Sequence, residues 1–85
     1  MSNFETIKIQ RLVNSLKKNG IQYMDVSPDG ESVNLFQKND LLWGVYAENE
    51  DYILFWDDGN IIVRNIMKKT LKGMLYTIKN LYKGK

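Results

Sequence analysis

The sequence predicts an α+β fold: a single small domain with an N-terminal helix, a four- or five-stranded antiparallel β-meander and a basic amphipathic C-terminal helix. Three observations carry this. Apolar residues recur at helical spacing near both ends of the chain. The middle alternates apolar, aromatic-rich runs with short polar stretches. Those stretches hold the Asn, Asp, Gly and Pro residues that reverse a strand within a few positions. With 85 residues, two helices and a sheet can share one core, but a second domain does not fit. One unit over residues 1–85 is expected.

The first helix is expected over residues 3–18. Ser2-Asn3-Phe4-Glu5 fits the S-x-x-E capping box, in which hydroxyl and carboxylate each satisfy an orphan N–H. Ile9, Leu12, Val13 and Leu16 follow at the spacing of one helical face. Asn19-Gly20 supplies a left-handed C-cap, with Lys17 and Lys18 at the negative end of the helix. Residues 21–26 read as a short strand, Ser27-Pro28-Asp29-Gly30 as a turn, and residues 31–38 as a second strand. Asn39-Asp40 connects tightly into residues 41–64, the stretch around which the chain is organised. There, strands 41–47 and 52–56 flank the acidic turn Glu48-Asn49-Glu50-Asp51. Asp57-Asp58-Gly59-Asn60 leads into a strand at 61–63, its Asp-Gly read as a type I′ hairpin signal.

Asn65 is a good N-cap for a last helix over about residues 66–83. Met67, Leu71, Met74, Ile78 and Leu81 recur at spacings of four and three. Arg64, Lys68, Lys72, Lys79 and Lys83 form a basic stripe beside that seam. Gly73, placed mid-helix, costs about 1 kcal/mol relative to Ala and marks close packing or a bend.

Simple turns assign the sheet faces. One gathers Val33, Leu35, Leu42, Gly44, Tyr46, Ile53, Phe55 and Ile62. The other gathers Phe36, Trp43, Val45, Ala47, Tyr52, Leu54, Trp56, Ile61 and Val63, with Ser32, Asn34 and Lys38 on its far side. Both faces are largely apolar, whereas an antiparallel sheet with one wet face alternates cleanly. Either both are covered or one is a contact surface, and a one-residue slip would exchange the two sets.

Composition excludes several chemistries. The chain has no Cys and no His, which removes Cys- or His-ligated zinc and haem as well as Ser-His and Cys-His catalysis. No phosphate loop, G-x-G-x-x-G or G-x-S-x-G is present, and after Asp57 the EF-hand spacing is missing. A non-enzyme without cofactor or metal is expected. The lack of cysteines, of a signal-like apolar segment and of a run approaching about 20 apolar residues gives the expectation of a cytoplasmic protein without a membrane span. The Lys-, Asn- and Ile-rich composition suits an AT-rich bacterium or its phages.

The net charge of +2 hides a segregation. Residues 1–18 hold four bases and one acid, 19–58 one base and nine acids, and 59–85 seven bases and no acid. The first expectation is therefore a protein-binding module: an inhibitor, adaptor or immunity-type factor, phage or mobile-element encoded, acting by surface occlusion. Its contact residues would be Trp43, Tyr52, Trp56, Glu48, Glu50 and Asp51, with charge steering encounter and aromatics supplying affinity. The competing structural reading makes those aromatics core and those acids ordinary turn residues. The alternative function is nucleic-acid binding through Arg64, Lys68, Lys72, Lys79 and Lys83, set against a merely solvated helix face. A homodimer that hides the second apolar face suits either function.

Overall fold

Burial of the Ile9, Leu12, Val13 and Leu16 stripe makes residues 4–18 a helix with one committed face, α1 (Phe4–Lys18). The computed structural model describes residues 4–83, so Ser2 of the capping box lies outside the described residues. At the other end the chain closes as a Schellman motif. The N–H of Ile21 donates to the Leu16 carbonyl at 3.0 Å and that of Gly20 to Lys17 at 3.2 Å. Gly20 has φ 69°, which glycine adopts without a Cβ clash. Ile21 is buried with Leu16, the apolar contact that accompanies this cap.

The chain then forms five strands in the order β1-β2-β3-β4-β5, every neighbouring pair antiparallel. They are β1 (Asp25–Val26), β2 (Ser32–Lys38), β3 (Leu41–Glu48), β4 (Asp51–Asp57) and β5 (Ile62–Lys68), followed by α2 (Leu71–Lys83). The expected α+β architecture is thus present, in its five-stranded form. The first strand keeps only two of its six expected residues because β2 becomes irregular after Asn34, and the pairing ends where the Met24 N–H donates to the Asn34 carbonyl at 2.8 Å.

Connections follow local chemistry. Asn39 and Asp40 both take positive φ, 56° and 64°, as a type I′ hairpin requires. The Asp-Gly signal leads elsewhere: Asp58 is not left-handed, and residues 58–61 form a longer loop. Asp57 accepts from the N–H of Gly59, and Asp58 from those of Asn60 and Ile61, at 2.8–3.0 Å. These side-chain bonds hold the loop in place of a two-residue turn.

Two bulges set which residues face which way. In β2 the register moves from Asn34↔Gly44 to Phe36↔Trp43, leaving Leu35 without an opposite residue. In β5 it moves from Phe55↔Arg64 to Leu54↔Ile66, leaving Asn65 likewise. Each extra residue changes the parity of one strand. Val33 and Leu35 therefore join the cluster with Phe36, while Ser32 and Asn34 pair opposite Tyr46 and Gly44, reversing the expected sides.

The last strand and helix also differ from expectation. Residues 66–68 pair with Leu54, Ile53 and Tyr52, so Asn65 is a bulge residue and not an N-cap. The cap is Thr70, whose Oγ1 accepts the Gly73 N–H at 3.0 Å. Gly73 thus sits in the first turn of α2, where a Cβ would meet Thr70 Oγ1 at 3.1 Å.

Both helices cover one face of the sheet, α1 over β2 and β3, α2 over β4 and β5, and they touch each other. They start at the same end. The Asn49 N–H donates to Glu5 at 3.1 Å, and the Tyr52 hydroxyl reaches the Lys8 carbonyl at 3.4 Å. At the opposite end Lys38 Nζ donates to the Leu81 carbonyl at 3.0 Å, and the Phe36 and Tyr82 rings lie 5.4 Å apart. Between helices and sheet, Leu12, Leu16, Val33, Val45, Met74 and Ile78 lose all solvent contact. Each such burial stabilises the fold by about 1.5–3 kcal/mol.

Candidate functional site

Trp43, Tyr52 and Trp56 project toward the helices. Trp43 and Tyr52 are buried at 9% and 2% exposure, and Trp56 packs half-buried against the same cluster. The Trp43 indole donates to the Lys38 carbonyl at 3.3 Å, while Lys8 Nζ lies 4.1 Å from the centre of the Tyr52 ring. Burial raises the Tyr52 hydroxyl above its ordinary value of 10.0. Trp43 and Tyr52 are therefore packed into the core beneath the helices and do not stand out on an exposed sheet face, which corrects their expected role. They lie where two apolar helices need the largest side chains.

The acids expected beside them do gather at one end of the sheet. Glu48 and Asp51 are paired across the β3–β4 turn, with Glu50 exposed at its tip. Asp29 in the β1–β2 turn belongs to the same end. Its carboxylate accepts from the Ser27 hydroxyl at 2.6 Å and the Glu31 N–H at 2.9 Å, which holds it below the usual carboxylate value. Asp40, Asp57 and Asp58 line a depression of about 280 Å³ with Leu42 at the opposite end. The backbone N–H groups of Ile61 and Asn60 lower the pKa of Asp58. Among the described residues no group of carboxylates is arranged to hold a metal ion.

Among the described residues no helix crosses the other face of the sheet, which carries Leu42, Gly44 and Tyr46 of β3, Ile53 and Phe55 of β4, and Ile62, Arg64 and Met67 of β5. The Phe55 ring lies over Gly44 so closely that a Cβ there would sit 2.5 Å from its Cζ and 2.8 Å from the Val33 carbonyl oxygen. Tyr46 tilts against Phe55, ring centres 5.9 Å apart. Arg64 Nε donates to the Tyr46 hydroxyl at 2.6 Å, and its guanidinium pairs with Glu48. These neighbours raise the arginine's pKa. Ile62 and Met67 stand 64% and 58% exposed, and a depression of about 270 Å³ opens between Ile53, Met67, Arg64 and Glu48. The sheet thus presents an apolar, aromatic band with an acidic region at each end.

Most of this band belongs to the face grouped from sequence alternation, while the expected aromatic contact residues Trp43, Tyr52 and Trp56 lay on the other. Met67 was hidden because its spacing to Leu71 and Met74 continues a helical pattern. A sequence signal did exist: the face with both tryptophans offers the larger apolar area for amphipathic helices to cover.

The five-residue basic stripe divides. Arg64 belongs to the uncovered sheet face and Lys68 to β5, leaving Lys72, Lys79 and Lys83 on α2. With Tyr76, which is 68% exposed, these three fall within an arc of roughly 60°. Among the described residues the ion pairs are Arg64 with Glu48 and Lys69 with Asp51. Lys72, Lys79 and Lys83 join neither, so the charge segregation of the sequence persists in space. Among the described residues no helix is long and apolar enough to cross a membrane. No family model matches the chain, and no curated protein or solved structure does either.

Proposed function

We propose that this protein is a small non-enzymatic binding module that occludes part of another protein, as an inhibitor, adaptor or immunity-type factor, using the uncovered face of its sheet. The observation behind this reading is the band of Leu42, Tyr46, Ile62 and Met67 around the packed Phe55 ring, which no helix among the described residues covers. Exposed apolar patches of this kind mark interaction surfaces. The aromatic pair is already positioned by strand neighbours, so little ordering cost falls on binding.

Charge selects the partner. Asp29, Glu48, Glu50 and Asp51 lie at one end of the band and Asp40, Asp57 and Asp58 at the other. A complementary surface is apolar in the middle and rich in Lys or Arg on both sides, as on a cationic amphipathic helix. A second copy fits less well. Packed face to face with its strands aligned, either way round, acidic ends meet acidic ends.

The test is an NMR titration with a synthetic amphipathic helix of leucine and lysine, alongside its leucine–glutamate counterpart. Saturable shifts at residues 42, 46, 55, 57, 58, 62 and 67 are expected with the cationic peptide alone. Ile62→Asp combined with Met67→Asp, both at exposed sites, should abolish them without moving the urea midpoint. No binding, or shifts confined to the helices, would sink the proposal. Sedimentation that depends on concentration and is lost in the double variant would make the occupant a second copy instead.

A further inference from the structure

On the opposite side of the molecule a groove of about 440 Å³ runs between α2 and strands β3, β4 and β5, within the size range of small-ligand sites. Its floor is apolar, formed by Trp43, Leu54 and Ile66, and its rim is polar, with Asn65, Lys68, Tyr76 and Asn80. Asn65 reaches it because the β5 bulge places an extra residue there. Among the described residues the side chains of Asn65, Tyr76 and Asn80 have no hydrogen-bond partner. Tyr76 also belongs to the exposed face of α2, in line with Lys72, Lys79 and Lys83. One side chain therefore joins a row of cations to a concave site with an indole in its floor.

We propose that the row and groove together bind single-stranded nucleic acid. This surface is separate from the uncovered sheet face and does not depend on the protein-binding reading. The lysines of α2 and Lys68 would contact consecutive phosphates, with Tyr76 as a stacking platform for a base. The free amides of Asn65 and Asn80 would meet that base's polar edge. A single strand fits better than a duplex, because a duplex buries the base faces that the phenol ring and groove would hold. Among the described residues these lysines have no ion-pair partner, so their charge remains available to displace counterions from a polyanion.

The experiment is fluorescence anisotropy with labelled fifteen-nucleotide thymidine and uridine single strands and with a mixed-sequence duplex, at 50–200 mM salt. Binding of at least one single strand is expected, preferred over duplex, with log affinity falling by about 0.7 per phosphate contact for each unit of log salt. Tyr76→Ala should weaken binding roughly 5- to 100-fold, while Tyr76→Phe retains it. Lys79→Gln should make the salt slope shallower by about one contact. Both sites are exposed, so unchanged circular dichroism is expected. No binding at 50 mM salt, equal binding of duplex, or insensitivity to Tyr76→Ala would overturn the proposal. Binding of anionic vesicles with no single-strand binding would also overturn it, assigning the row to a lipid surface.

Discussion

Trp43, Leu54 and Ile66 project from one side of the sheet, and Tyr46, Phe55 and Met67 from the other. Both sets are apolar and come from the same three strands. On the first side burial comes from helices: α1 and α2 lay their own stripes over it. On the second it comes from lateral neighbours within the sheet. Phe55 and Ile53 are only 8% and 3% exposed, yet Phe55 is held by Gly44, Tyr46 and its strand partners. The lesson is that a side chain can be fixed in place without being part of the helix–sheet core. Such rigidity on an uncovered face leaves a surface ready for docking.

The largest expected effect separates the two faces. Trp43→Ala should cost about 3–5 kcal/mol, a large part of the stability of a domain this small. Ile62→Ala on the uncovered side should stay within about 0.5 kcal/mol. Urea denaturation of the two variants makes the comparison, and similar losses would break it. A smaller effect tests lateral burial. Gly44→Ala forces the Phe55 ring away and presses on a backbone carbonyl, for an expected loss of about 1–3 kcal/mol. A neutral result would mean that Phe55 is not locked by its glycine.

The subtlest test uses pH, because the two regions titrate in opposite directions. Tyr52, beneath α1, has a raised pKa, so its contribution is complete below pH 10.0 and disappears as pH rises through the folded value. Asp58, at the acidic end of the uncovered face, has a lowered pKa. Its contribution is present above pH 3.8 and disappears as pH falls through the folded value. Urea midpoints against pH should lose part of their alkaline fall in Tyr52→Phe and part of their acid fall in Asp58→Asn.

Much of this arrangement is legible in the sequence because it is local. Ile9, Leu12, Val13 and Leu16 specify α1 by spacing, and Asn19-Gly20 closes it by conformation. Asn39-Asp40 turns the chain within two residues. What escapes is the parity of the strands. Alternation places Val33 and Leu35 with Leu42, but one unpaired residue in β2 turns them toward the helices. Asn65 has the chemistry of an N-cap, and residues 67, 71 and 74 keep a helical rhythm. Even so, pairing of Ile66 with Leu54 and Met67 with Ile53 keeps that segment in the sheet. Long-range pairing overrides local preference there. The same override misplaces Arg64 and Lys68 in the helical stripe.

The bulge at Asn65 has one more consequence. β5 is the last strand of the sheet, and its outer backbone groups have no strand beside them. A straight, apolar strand in that position is a template on which other chains can add and grow into fibrils. An unpaired residue midway bends the strand and breaks its repeat, and Arg64 and Lys68 add charge on either side. A chain lacking Asn65 would lose that kink and gain a flatter border bearing Ile62, Ile66 and Met67. The irregularity that confuses the reading of the strand is also of the kind by which edge strands resist self-assembly.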